Sequence, residues 1–214
     1  MKEPTMLRAL LAASAAALLA LPAQGAVILT FGQIGAGNTI TATANAGGTA
    51  TTITAADVPV SITQILGGAP TSADFDLNIT STDAVTPLGA GGFQHYAGSF
   101  SLTSGAGGTG TNFLSGTFSD VVLGTGASAV LSSGAPPDSI SFTSDVINVL
   151  ALPRAVSLSF ANVSPAIGID GDTLASFGAS VSGDFSATAV PEPVSMAALG
   201  VGLLGLGLVR RKTL

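Results

Sequence analysis

Few side chains in this sequence could do chemistry. A single histidine, His95, stands beside the single tyrosine, Tyr96. Nucleophilic hydrolysis needs a base held against a hydroxyl, and no Gly-x-Ser-x-Gly elbow occurs to present one. His95 is therefore read as an ordinary strand or surface residue. The run Gly105-Ala106-Gly107-Gly108-Thr109-Gly110 has the spacing of a phosphate-cradling loop. Strand-like residues 112–118 follow it, where a helix N-terminus would have to hold the phosphate. A second formal match, at 200–205, falls in an apolar tail, and both follow from a content of 28 glycines. Asp74 and Asp76 share one strand face, and Asp170 and Asp172 share one loop. Paired carboxylates can hydrolyse glycosides, but a chain without tryptophan offers no flat aromatic platform for a sugar. Calcium suits the second pair better. Asp170-Gly171-Asp172-Thr173 is an oxygen-rich turn, and hard cations take such ligands, so Asp170 and Asp172 are the candidate metal ligands. The turn lacks EF-hand spacing, so further ligands would have to come from elsewhere; without them it is a solvated acidic turn. No other cofactor is expected, no catalytic residue is assigned, and the chain reads as a non-enzyme.

Composition narrows the field further. The 214 residues are 47% hydrophobic but only 8% charged, against roughly 25% charged in average chains. Of the six basic residues, Lys2, Arg8, Arg210, Arg211 and Lys212 lie near the ends, which leaves Arg154 alone in the middle. Residues 26–190 hold ten aspartates and no glutamate, a formal charge of −9. Nucleic acid is excluded as a partner, because phosphate binding needs clustered Lys and Arg. With no cysteine, disulfides and thiolate zinc sites are excluded too.

Both flanks read as targeting segments. Lys2 and Arg8 precede a 13-residue apolar run, 9–21, broken only by Ser14, and then Pro22 and Ala23-Gln24-Gly25. That is the layout of a secretory signal peptide spanning 1–25, cut between Gly25 and Ala26. At the other flank, Pro191-Glu192-Pro193 leads into the uncharged residues 194–209, followed by Arg210-Arg211-Lys212. As a helix, 194–209 would reach about 24 Å, short of a hydrocarbon core of about 30 Å but within what snorkelling and thinning accommodate. The basic cluster should stay cytoplasmic, which places residues 26–190 outside. The prolines keep the membrane-proximal segment extended, as a protease cleft requires, and Gly200, Gly202, Gly205 and Gly207 leave a thin helix face for close packing.

The order Pro191-Glu192-Pro193, Gly-rich apolar helix and Arg210-Arg211-Lys212 resembles the PEP-CTERM sorting signal of many Gram-negative bacteria. The resemblance covers 191–214. It implies recognition by an exosortase-type membrane protease, cleavage near Pro191-Glu192-Pro193 and delivery to the cell surface or matrix, often alongside exopolysaccharide and biofilm. The partners expected are the Sec translocon and signal peptidase, the exosortase-type protease, transiently the inner membrane, and exopolysaccharide.

Between the flanks the dominant pattern is alternation. Phe177, Ala179, Val181, Phe185 and Ala187 occupy one parity, and Ser176, Ser180, Ser182, Asp184 and Ser186 the other. Val156, Leu158 and Phe160 repeat the pattern, as do Phe75, Leu77 and Ile79, Leu114 and Phe118 around Gly116, Ile140 and Phe142, and more weakly Ile40, Ala42 and Ala44. A period of two marks strands with one wet face. Turn clusters at Gly47-Gly48, Gly67-Gly68-Ala69-Pro70, 89–92, 105–110, Pro136-Pro137-Asp138 and Asp170-Gly171-Asp172 separate about ten strands. The expected architecture is all-β, an antiparallel β-sandwich passenger of one domain at 26–190, with 26–70 looser than the rest. It is similar in texture to β-sandwich passengers of PEP-CTERM proteins, above all over 114–188. The function expected is a non-enzymatic cell-surface or extracellular-matrix protein; the alternative is a carbohydrate- or calcium-dependent adhesion module.

Overall fold

The computed structural model describes residues 26–88, 91–124, 129–132, 140–148 and 150–188. Among them every regular element is a strand, and every pairing is antiparallel. The all-β antiparallel expectation is met. The strands are β1 (Ala26–Gln33), β2 (Ile40–Ala44), β3 (Thr51–Ile65), β4 (Thr71–Ser81), β5 (Thr86–Leu88), β6 (Gly91–Gly105) and β7 (Thr109–Gly124). They continue with β8 (Ala129–Ser132), β9 (Ile140–Thr143), β10 (Ala151–Ser164), β11 (Ile169–Asp170), β12 (Thr173–Leu174) and β13 (Phe177–Thr188).

Alternation predicts one wet face per strand, and the sandwich expectation adds two separate sheets. The strands instead form one continuous ring in the order β6-β4-β3-β1-β13-β10-β8-β7, and β7 closes back on β6. β1 and β2 share one slot: β1 lies between the C-terminal halves of β3 and β13, and β2 between their N-terminal halves. β8 and β9 divide the slot beside β7 in the same way. The ring is flattened and its interior is filled. Phe100 of β6 stacks on Phe185 of β13 at 4.6 Å between ring centroids, although these strands stand on opposite sides of the ring. Phe31 bridges Phe75 and Phe185 at 4.9 and 6.0 Å, and Phe142 meets both Phe100 and Phe185 edge-on. Edge-to-face and offset contacts of this kind add to the burial of the rings themselves. Gly183 makes room for the belt: a Cβ there would lie 2.6 Å from both Phe31 Cε1 and Leu158 Cδ2.

The N-terminal third is not looser. Ile53, Val58, Val60 and Ile62 are buried along the 15-residue β3, and Ile28, Leu29 and Phe31 along β1. A bulge at Ala56-Asp57, with Asp57 at φ 50°, shifts the phase of β3 midway. That shift hides its alternation from a single-period reading. Thr41, Thr43, Thr52, Thr54 and Thr63 occupy outward positions in β2 and β3, where a β-branched side chain suits the pleat. Ser, Thr, Asn and Asp side chains dominate the outward positions of β2, β3, β4, β7 and β13, although Val27, Leu88 and Ile169 are also exposed. The Gly105–Gly110 run is the β6–β7 hairpin turn, with Gly107 and Gly108 both at positive φ. The turn cluster at 136–138 lies outside the described residues.

Candidate functional site

One end of the ring is plugged by polar side chains. Gln94 and Tyr96 stand on the inward parity of β6, and both are fully buried. The Gln94 amide donates to the carbonyl of Asp83 (2.8 Å) and to Thr173 Oγ1 (3.0 Å). Its oxygen accepts from Tyr96 Oη (3.0 Å) and from the backbone N–H of Leu174 (3.2 Å). Thr51 Oγ1 lies 2.7 Å from Thr173 Oγ1 and donates to the Leu174 carbonyl. Burial pushes the Tyr96 hydroxyl well above its ordinary pKa, so it stays a neutral donor. Every buried polar group of this cluster has a partner, the condition under which a polar interior is tolerated.

The β11–β12 hairpin inserts Thr173 and Leu174 into this plug, while its turn stays outside. Gly171 turns at φ +62°, Asp172 N–H donates to Gly48 O (2.7 Å), and Val85 N–H donates to Asp172 O (2.8 Å). Asp170 and Asp172 are exposed on that turn. Among the described residues, no further His, Asp or Glu side chain joins them in a group that could hold a metal ion. What the structure gives this turn is a docking role, since its backbone joins the 45–50 turn to the β4–β5 loop.

Beside the plug, His95 on β6 lies between two carboxylates. Its Nδ1 is 2.5 Å from Asp120 Oδ1 on β7, and its Nε2 is 3.9 Å from Asp83 Oδ2 in the β4–β5 loop. The backbone completes the clamp: His95 N–H donates to Asp83 Oδ1 (3.0 Å), and Thr82 N–H donates to His95 O (2.9 Å). The hydrogen bond to Asp120, with the charges of Asp120 and Asp83, raises the His95 pKa against a smaller opposing effect of burial. With its ring nitrogens turned to carboxylates, His95 is placed to hold a loop. The sequence did not bring Asp83 and Asp120 to it; the one clue was a glutamine on the inward parity next to His95.

A third polar cluster lies on the outer wall. Asp76 Oδ1 accepts from the N–H of Asp57 at the β3 bulge (2.9 Å), and its other oxygen lies 3.4 Å from Ser101 Oγ. A shallow groove of about 270 Å³ runs here, lined by Ala55, Asp76, Asn78, Ser99 and Ser101. Asp74, paired with Asp76 in the sequence, is a neighbour on the same face of β4. Arg154 is spent on the backbone: its guanidinium donates to Leu150 O (2.6 and 3.0 Å) and Ile140 O (3.0 Å) where β9 approaches β10.

Of the processing residues, Ala26 opens β1, paired with Ala187. Gly25, Pro191, Glu192, Pro193, Arg210, Arg211 and Lys212 lie outside the described residues, as do the expected signal peptide and sorting helix. The comparisons with known proteins bear on that second flank. The family model described as the PEP-CTERM protein-sorting motif matches residues 189–212, directly after the last residue of β13. No curated protein and no solved structure matches the chain. A filled antiparallel β-ring is thus joined without a spacer to a matched export signal. The chain carries a PEP-CTERM protein-sorting motif at residues 189–212, and that motif implies export to the cell surface through an exosortase system.

Proposed function

We propose that residues 26–190 form a non-enzymatic component of the cell surface or extracellular matrix. The Sec translocon would export it, signal peptidase would trim it after Gly25, and the tail would anchor it transiently in the inner membrane until an exosortase-type protease cuts near Pro191-Glu192-Pro193. Its setting would be exopolysaccharide and biofilm. The observation that carries this reading is the match at 189–212 abutting a ring with a largely polar outer wall and a side-chain-filled interior. A matrix protein has to stay folded and hydrated outside the cell without disulfides, and that construction does so.

The test is the intact mass of the mature protein in each cell fraction. The expected product begins at Ala26, has lost residues 194–214 and is found at the surface or in the medium. The triple change of Pro191, Glu192 and Pro193 to Ala holds the uncut tail in the membrane fraction. A finished protein that keeps the hydrophobic end, or resides in the cytosol, overturns the reading.

A second reading, a carbohydrate-binding module, has one observation in its favour. Thr41, Thr54, Asn78, Ser99, Thr117 and Ser141 pair in sequence across six strands and form one exposed rung of hydroxyls and amide. The groove at Asp76 crosses it. Binding on a glycan array, lost in Asn78→Ala, would establish this reading; nonbinding across matrix polysaccharides would remove it.

A further inference from the structure

The outer wall over β2, β3, β4, β6, β7 and β9 carries a column of exposed residues, Thr41, Thr54, Asn78, Ser99, Thr117 and Ser141, one from each strand. Five steps of about 4.8 Å between strands give it a length of about 24 Å. No charge interrupts it. A path along a strand is different, since the outward residues of β4 include Asp74 and Asp76 as well as Asn78. At the centre of the column Asn78 and Ser99 are a cross-strand pair, and Asp76 and Ser101 are the pair beside it. These four side chains form a two-by-two array around the groove at Asp76, about 5 Å apart across the strands and about 7 Å apart along them. The Asn78 amide and the Ser99 hydroxyl have no hydrogen-bond partner among the described residues, whereas Thr117 and Ser141 bond to each other at 2.7 Å.

We infer that this face binds a single neutral polysaccharide chain running across the strands, with one sugar ring seated between Asp76, Asn78, Ser99 and Ser101 and with Asp76 excluding acidic polymers. This rests on the carbohydrate-binding reading above. The array presents both donors and acceptors, as a ring of hydroxyls requires. Asp76 Oδ1 accepts from the Asp57 N–H, and Oδ2 lies 3.4 Å from Ser101 Oγ, which leaves lone pairs for sugar O–H groups. No cation offsets the carboxylate. Arg154, the one Lys or Arg of residues 26–190, is spent on the Leu150 and Ile140 carbonyls. Asp57 and Asp74 add negative charge on β3 and β4, and a uronate seated in the groove lies inside the screening length of about 8 Å. A neutral sugar meets no such repulsion. No aromatic ring stands in the column for a sugar to stack on. Each sugar is therefore held weakly, contacts have to add along the column, and retention grows with chain length.

Affinity electrophoresis of the protein purified from its own cells tests this, with glucomannan and galactan as neutral probes and alginate and polygalacturonate as acidic ones. The expected result is retardation by the long neutral chains and none by the acidic ones. Retardation should fall several-fold with short oligosaccharides of the same neutral chains and in Asn78→Ala. Asp76→Asn keeps an accepting oxygen and removes the charge, so it should gain retardation by the acidic probes. Asp184→Asn removes the same charge from β13, on another part of the wall, and should gain none. Wild type retarded equally by both classes, no gain in Asp76→Asn, or an equal gain in Asp184→Asn overturns the inference and leaves the carbohydrate reading standing. Neutral binding unchanged in Asn78→Ala places the polymer off this face and overturns the inference as well. No retardation by any probe overturns the carbohydrate reading and the inference with it.

Discussion

The interior of the ring is built in two ways. Its middle is an aromatic belt, in which Phe31, Phe75, Phe100, Phe142 and Phe185 touch across opposite walls. Its plugged end is polar, with Gln94, Tyr96, Thr51 and Thr173 sharing hydrogen bonds. The belt draws on area removed from water, which is non-directional and tolerates small shifts. The plug draws on geometry, since each polar atom left without a partner costs more than the bond it made. One region supplies most of the stability; the other decides which loops are held against the ring.

Removing the ring that joins the two walls is the severest test of that division. Phe185→Ala should cost about 3–5 kcal/mol, read by urea unfolding of residues 26–188. A loss below 1 kcal/mol would mean that the belt does not join the two walls. Gln94→Leu comes next. It keeps an apolar body but strips partners from Leu174 N–H, Tyr96 and Asp83 O, and it should cost about 2–3 kcal/mol. Hydrogen exchange should rise selectively at 82–85 and 169–174; protection lost evenly over the ring would erase the contrast between plug and belt.

A smaller effect is expected from His95, whose side chain is about a third exposed. Its folded pKa lies above the ordinary value near 6.5, so protonation favours the folded state. The contribution is fully present below pH of about 6.5 and fades as pH rises through the folded value. Thermal melts should show wild type above His95→Gln in acid, with the gap closing at alkaline pH. A gap independent of pH would assign His95 a packing role only. Smallest of all is calcium. Melts with millimolar calcium and with chelator should coincide, because the described residues set no third carboxylate beside Asp170 and Asp172. A shift lost in Asp172→Asn would establish the calcium site.

The belt was legible in part, at Phe75, Phe142 and Phe185 but not at Phe31 and Phe100, and the plug was not. Phe75, Phe177, Val181 and Phe185 fall on the dry parity of their strands, and all are buried. Gln94 also falls on a dry parity, but a buried glutamine is intelligible only once Thr173 arrives from 79 residues away. The His95 clamp was hidden for the same kind of reason, since Asp83 and Asp120 come from 12 and 25 residues away. Reading 26–70 as loose failed for a local reason, because the Asp57 bulge changes the phase of β3 and a single-period count scores it poorly. The turns fared better, since Gly107, Gly108 and Gly171 take positive φ where glycine alone does so freely.

By itself the sequence determined which face of β2, β4, β7, β9, β10 and β13 is wet, where most of the turns fall, the acidic and disulfide-free character of the middle, and the sorting motif. These are properties of neighbouring residues, and composition and spacing carry them. Only the tertiary structure decided that the strands close into one ring, that β11–β12 docks by its backbone, and that Ala26 meets Ala187 beside the motif. Closure depends on pairings between residues far apart in the chain, and alternation is blind to them because every register of the same parity leaves the same face dry.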